Sequence, residues 1–140
     1  MDIQLVYTGE GAAFTAHNAE GNELILDGSP DLGGQGKGPR PMEMVLFGLA
    51  GCMAMDVLHI IRKARAELAQ AKITAKAERA QSIPAVFERI HLSFELGGEG
   101  LTEKTAQRAI DLSLERYCSV AHMLSPKVEI TADLNLLTTD

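Results

Sequence analysis

The chain has 140 residues, of which 46% are hydrophobic and 23% charged, a composition typical of one globular domain, residues 1–140, and not of a disordered chain. The formal net charge is −6 and no block of lysine and arginine occurs, so neither nucleic acid nor an anionic membrane surface is expected as a partner. The acidic N-terminus has no secretory pattern, and the two cysteines are too few for a disulfide scaffold and are not spaced as a metal pair. The sequence therefore predicts a cytoplasmic protein.

The first 26 residues are predicted to form three short strands. Residues 3–7 alternate between apolar and polar side chains, and further apolar stretches at 13–17 and 24–26 are separated by glycine-containing turns. Residues 27–41 contain five glycines and three prolines, which predicts a flexible loop. This loop lacks the Gly-Lys-Ser/Thr ending of a phosphate-binding loop, so we interpret it as a plain connector.

The next segment, residues 42–69, is predicted to form one long helix because no proline interrupts it. It is apolar on nearly all sides as far as Ile61, and such a helix must be enclosed by protein or lipid. Glu43, Asp56 and His59 interrupt the apolar stretch and argue against a membrane span. One domain of this size can hardly enclose a helix of roughly 40 Å. The sequence therefore predicts a homodimer in which a second subunit covers this helix.

The remaining residues are predicted to form two strands, a helix and a last strand. Alternating apolar side chains place the first two strands at 72–81 and 87–96. Thr102 is a candidate N-cap for a helix that runs to Cys118, and residues 128–134 alternate again. The predicted order is β-β-β-α-β-β-α-β, which indicates the α+β class.

Two segments of the chain resemble a known protein family. Residues 41–52 read Pro-Met-Glu-Met-Val-Leu-Phe-Gly-Leu-Ala-Gly-Cys and end at Cys52. Residues 114–120 read Leu-Glu-Arg-Tyr-Cys-Ser-Val and contain Cys118, which follows Cys52 by 66 positions. Together these segments resemble the OsmC/Ohr family of hydroperoxide-reducing proteins, and within it the small OsmC-like branch.

The resemblance implies an OsmC-like fold in an intertwined homodimer, with the two long central helices buried side by side and two active sites at the interface. It implies a thiol peroxidase of the oxidative stress response. Cys52 would be oxidised by an organic hydroperoxide to a sulfenic acid, and Cys118 would resolve it as a disulfide. A dithiol reductant such as a lipoylated protein would then restore the pair. The cycle uses no metal or organic cofactor, and in the family an arginine and a glutamate activate the reactive thiol.

A peroxide is attacked by a thiolate, and an unperturbed thiol is only a few per cent ionised at neutral pH. Cys52 lies about three turns inside its helix, too far from the positive N-terminus to benefit from it, and therefore needs a nearby cation. On an ideal helix Asp56 and His59 share the face of Cys52. His59 can supply the positive charge when protonated, whereas Asp56 opposes the thiolate unless it is paired. Alternatively, Asp56 and His59 bond to each other or to backbone across the dimer.

The activating residues of the family have no direct counterparts in this chain. Residues 1–35 contain neither arginine nor lysine, which leaves Arg40 as the candidate for stabilising the thiolate. Counted back from Cys52, the glutamate of the family falls on Met42. Glu43, one position later, is the candidate for orienting the thiol, although nine residues of ideal helix put it on the face opposite Cys52.

Cys118 is expected at the C-terminal end of its helix, where the dipole disfavours a thiolate and suits a resolving cysteine. Two other interpretations remain open. Both cysteines can be inert core residues, as free cysteine usually is. The chain can also be a dimeric binding protein of the same fold, whose interfacial apolar pocket holds a small ligand without turnover. The missing N-terminal arginine favours this last interpretation.

Overall fold

The computed structural model of the chain describes residues 1–138 and contains two compact units, Met1–Phe47 and a second one that begins at Gly48. Each unit holds one three-stranded sheet, which confirms the predicted α+β class. That all 140 residues form a single domain stays a prediction. The helices and strands are β1 (Ile3–Tyr7), β2 (Phe14–Asn18), β3 (Glu23–Leu26), α1 (Pro41–Lys63), β4 (Gln70–Arg79), β5 (Phe87–Gly97), α2 (Glu103–Leu112), α3 (Ser119–Leu124) and β6 (Glu129–Leu136), with a 3₁₀ turn at Pro30–Leu32 and a π-helical turn at Ser113–Tyr117.

In the first unit, β1, β2 and β3 form an antiparallel meander, and the loop that follows is held by one side chain. Asp27 is only 3% exposed, and its carboxylate accepts hydrogen bonds from the backbone N–H groups of Lys37, Gln35 and Gly28. The N–H groups of Lys37 and Gln35 are the main causes that hold the pKa of Asp27 below its ordinary value. The loop that follows β3, which the sequence predicted to be flexible, is therefore held in place by hydrogen bonds to the buried carboxylate of Asp27.

Helix α1 ends at Lys63, six residues before the predicted end at residue 69. Arg65 adopts a left-handed conformation with a φ of 62°. The N–H of Ala66 donates to the carbonyl of Ile61, and the N–H of Arg65 donates to the carbonyl of Arg62. These two bonds form the Schellman motif that closes many helices, usually with glycine at the left-handed position.

One stripe of α1 is buried within its own chain. Leu49, Met53, Val57 and Ile61 follow one another at intervals of four residues and are buried, as expected for one face of a helix. Met55, on another side of the helix, is 67% exposed. By length and composition α1 could cross a membrane, a test that the core helix of a soluble protein also passes. The chain by itself therefore covers only part of this apolar helix.

In the second unit, β5 lies between an antiparallel neighbour, β4, and a parallel neighbour, β6. Ile90, Leu92, Phe94 and Leu96 point to the same side of β5 and are buried, which forms the core of this unit. Thr102 caps α2 as predicted, because its hydroxyl oxygen accepts from the N–H of Thr105. Helix α2 contacts β6 and provides the crossover between the two parallel strands.

Candidate active site

Three side chains of the second unit converge on one point. Cys52 and Asp56 lie one turn apart on α1, and Cys118 lies between the π-helical turn and α3. The sulfur atoms of Cys52 and Cys118 and a carboxylate oxygen of Asp56 all lie within 4.8 Å of one another. Cys118 is fully buried, whereas Cys52 and Asp56 are partly exposed. We refer to these three residues as the cysteine cluster.

Cys118 lies at the C-terminal end of a helical segment, as predicted, because it is the C-cap of the π-helical turn that continues α2, but it also begins a new helix. Helix α2 ends at Leu112 and the chain continues through the π-helical turn, after which Cys118 is extended and begins a new helix. As the N-cap of α3, its sulfur accepts a hydrogen bond of 3.3 Å from the N–H of Ala121. The backbone groups near this sulfur are therefore donors, not the carbonyls expected at a helix end.

The thiol of Cys118 is nevertheless held in its protonated form. Its pKa is raised from 9.0 to about 11, mainly by burial and to a smaller extent by the neighbouring Cys52, against the opposing effect of the Ala121 N–H group. At neutral pH Cys118 is therefore a thiol with no access to solvent. The two cysteines are unequal because only Cys52 can be reached from outside this unit of the chain.

Asp56 takes its partner from a different element. Its carboxylate accepts a hydrogen bond of 2.8 Å from the hydroxyl of Ser113, the first residue of the π-helical turn. Ser113 is fully buried, and nothing in the sequence pattern indicates its pairing with Asp56. Within residues 1–138 no hydrogen bond joins Asp56 to His59, which is exposed. That Asp56 and His59 bond to each other or to backbone across a dimer stays a prediction.

A cavity of about 630 Å³ adjoins the cysteine cluster, because Asp56 forms part of its wall. Its volume lies in the range of sites for small molecules. Lys63 of α1 and Arg108 of α2 bring positive charge to this cavity. The sequence did not reveal this role of Arg108, because nothing in the pattern of α2 indicates which of its residues line a cavity. The lining residues are Asp56, His59, Ile60, Lys63, Ala64, Thr105, Arg108, Leu112 and Tyr117.

Arg40 and Glu43 belong to the first unit, at the start of α1. The carboxylate of Glu43 accepts a hydrogen bond of 3.0 Å from the backbone N–H of Arg40. A glutamate in the first turn that bonds back to the residue before the helix is half of a capping box. Glu43 thus has a structural role, and the catalytic roles assigned to Arg40 and Glu43 stay predictions.

The α+β fold and the paired cysteines define the class of protein. The family model described as "OsmC-like protein" matches residues 34–133, which is more than half of the chain. The chain therefore belongs to the OsmC-like family, which confirms the resemblance seen in the sequence. Among curated relatives, it is 39% identical over 122 residues to Protein YhfA of Escherichia coli K12, an alignment that covers 87% of this chain and 88% of the relative.

Solved structures of the same fold include relatives at two levels of similarity. A hypothetical protein from Aquifex aeolicus VF5 is 30% identical, with a TM-score of 0.80 over 98% of this chain and 97% of that one. The organic hydroperoxide resistance protein OsmC from Legionella pneumophila is 16% identical, with a TM-score of 0.68 over 96% of this chain and 95% of that one. At this lower identity the likeness concerns the fold alone.

Proposed function

We propose that the chain is a thiol-dependent peroxidase that reduces organic hydroperoxides, with Cys52 as the nucleophile and Cys118 as the resolving cysteine. One observation carries this proposal: the two sulfur atoms lie within 4.8 Å of each other, one partly exposed and the other buried. A disulfide needs a bond of about 2.05 Å. A local shift of the chain must therefore bring the two sulfur atoms closer together. The junction before α3 suits such a shift, because Cys118 itself lies between the π-helical turn and α3 and belongs to neither.

The cycle has three steps. The thiolate of Cys52 attacks one oxygen of the hydroperoxide, so that an S–O bond forms, the O–O bond breaks, and the alkoxide leaves and takes up a proton as the alcohol. The sulfur of Cys118 then attacks the sulfenic sulfur, and the thiol proton leaves with the departing hydroxide as water. A dithiol reductant, such as a lipoylated protein, reduces the resulting disulfide and is oxidised to its own disulfide.

The different environments of the two cysteines support this division of roles. A buried thiol whose pKa is raised to about 11 is a poor first nucleophile at neutral pH. It is also protected from the peroxide until Cys52 has been oxidised. Cys52 still needs a cation to favour its thiolate, and the candidates are Arg40, as the sequence predicts, and the cavity residues Lys63 and Arg108.

The experiment that tests the proposal is stopped-flow oxidation of the reduced protein by an organic hydroperoxide and by hydrogen peroxide. Cys52→Ser should abolish the reaction, and Cys118→Ser should stop it at a sulfenic acid that a dimedone-type reagent traps. Arg40→Ala should slow oxidation at least about tenfold, a loss of about 1.4 kcal/mol in transition-state stabilisation. A wild-type protein without turnover, in the presence of a dithiol reductant, would contradict the proposal.

The proposal also includes assembly and location. We propose that the protein is a homodimer in the cytoplasm and that it binds neither nucleic acid nor a membrane. The support is the exposed apolar part of α1, for which a second copy of the chain offers cover. Met55→Arg, a change on the exposed part, should weaken dimerisation in light scattering. Leu49→Arg, a change on the buried stripe, should prevent folding altogether because its charge has no partner there. A stable folded wild-type monomer at micromolar concentration would contradict the dimer.

The cavity favours a second candidate function, that of a small-ligand-binding protein of the same fold without turnover. The absence of arginine and lysine from residues 1–35 supports this alternative. The two functions differ in one measurement. A binding protein would take up an organic ligand whether Cys52 is present or replaced by serine, and it would consume no hydroperoxide.

A further inference from the structure

The peroxidase cycle needs two sulfur atoms, yet the cysteine cluster also contains a carboxylate. Two thiol sulfurs and one carboxylate oxygen, all within 4.8 Å of one another, are three ligand atoms of the two types, thiolate and carboxylate, that bind zinc in proteins. We propose that in the reduced protein Cys52, Asp56 and Cys118 bind a divalent cation of the zinc class. This inference goes beyond the proposed function, because binding requires no turnover.

The spacing of the cluster suits such a cation. Zinc–sulfur bonds of about 2.3 Å in a tetrahedral site separate two ligand sulfurs by about 3.8 Å. The two sulfur atoms lie no farther than 4.8 Å from each other, so a contraction of about 1 Å at most brings this pair to bonding geometry. This contraction is smaller than the one that a disulfide requires at the same place.

Two of the three ligands are already oriented by residues that are not ligands. The hydroxyl of Ser113 donates to the carboxylate of Asp56, and the backbone N–H of Ala121 donates to the sulfur of Cys118. Hydrogen bonds of this kind fix the direction of metal ligands and stabilise the thiolate form. The cluster therefore has the supporting contacts of a built site in addition to its ligand atoms.

The fold explains why this site is invisible in the sequence. Cys52 and Asp56 are four positions apart and share one face of α1, but Cys118 comes from a distant segment. Three protein ligands leave a fourth position for water or a small molecule, and the partial exposure of Cys52 gives access to it.

Binding of the cation would change the chemistry of the pair. Both thiols bind as thiolates and release their protons, and the sulfur of Cys52 is then no longer free to attack a hydroperoxide. Formation of the disulfide removes two ligands and would release the cation. The metal-bound and oxidised states are thus mutually exclusive.

The experiment is a titration of reduced, metal-free wild-type protein with Cd²⁺, followed by the ultraviolet charge-transfer absorption of cadmium–thiolate bonds. We expect one Cd²⁺ per chain, displacement by Zn²⁺, and release of protons into a weakly buffered solution. Protein oxidised to the disulfide should give no such absorption. A reduced wild-type protein without the absorption would overturn the proposal.

Variants test the role of each ligand. Cys118→Ser and Asp56→Asn should each weaken Cd²⁺ binding at least about tenfold, and Ser113→Ala, which keeps all three ligands, should weaken it about tenfold. Asp111→Asn is the matched control, since this exposed carboxylate lies outside the cluster and bonds to Gln107. Unchanged affinity in both Asp56→Asn and Ser113→Ala would overturn the three-ligand site. Peroxidase turnover is measured separately, with a chelator present, so that a failure of the proposed function and a failure of the metal site can be told apart.

Discussion

The buried thiol of Cys118 makes the stability of the protein depend on pH in a defined direction. In the unfolded chain this thiol loses its proton near the ordinary value of 9.0, whereas in the folded protein burial raises the pKa to about 11. Between these values the unfolded state binds fewer protons than the native state, so the free energy of unfolding falls as pH rises. The stabilisation is fully present below pH 9 and is lost as the pH approaches 11.

The magnitude follows from the two pKa values. Each pH unit between them removes about 1.4 kcal/mol, so the total loss is on the order of 3 kcal/mol. The assay is urea unfolding of reduced wild-type protein and of Cys118→Ala from pH 8 to 11.5, at one fixed protomer concentration. Tyrosine and lysine titrate in both proteins, so the difference between the two unfolding free energies isolates Cys118.

We expect the advantage of wild type over Cys118→Ala to be constant up to pH 9 and to decline above it. The same comparison in a Cys52→Ala background should keep most of the decline, because burial is the largest cause of the raised pKa and Cys52 a smaller one. Parallel pH profiles of wild type and Cys118→Ala would refute the reasoning, since they would mean that the folded protein does not hold the Cys118 proton.

Three further predictions concern other residues. Asp56→Asn should speed the oxidation of Cys52 severalfold in stopped-flow measurements with a chelator present, because the carboxylate lies beside the sulfur and is bonded to the neutral Ser113, with no ion pair to a cation among residues 1–138; slower oxidation would show that Asp56 instead orients a cation. Glu43→Ala should lower the free energy of unfolding by about 1 kcal/mol through loss of the cap on α1, and an unchanged urea midpoint would contradict this role. Gly38→Ala should destabilise the protein by about 2 kcal/mol or more in the same assay, because a Cβ there would overlap the carbonyl of Ile25; wild-type stability would show that the loop can move away.

The sequence predicted the order of the main elements because their signals are local. Alternation located β5, and the hydroxyl of Thr102 located the start of α2. The end of α1 was missed because the left-handed residue that closes it is Arg65, where a glycine would have been the usual signal. The π-helical form of residues 113–117 was missed for a similar reason, since these residues suit an α-helix and nothing local predicts a π-helical turn.

The candidate site was predictable in part. The cysteine pair came from the resemblance of two motifs, and the structure brings the two sulfurs within 4.8 Å of each other. The bond from Ser113 to Asp56 joins residues 57 positions apart, and no periodic pattern reports such a contact. Glu43 was assigned by counting back from Cys52, and Arg40 as the nearest substitute for an arginine that residues 1–35 lack; both catalytic roles stay predictions.

The position of Cys118 as the N-cap of α3 gives this protein a built-in reporter of its own chemistry. The amide of Ala121 is anchored to a sulfur atom whose bonding differs between thiol, disulfide and metal thiolate. The exchange rate and the chemical shift of that single backbone proton should therefore follow the state of the pair. A spectroscopist could read the state of the cysteines from the first turn of a six-residue helix, without a label and without any reagent that consumes the thiols.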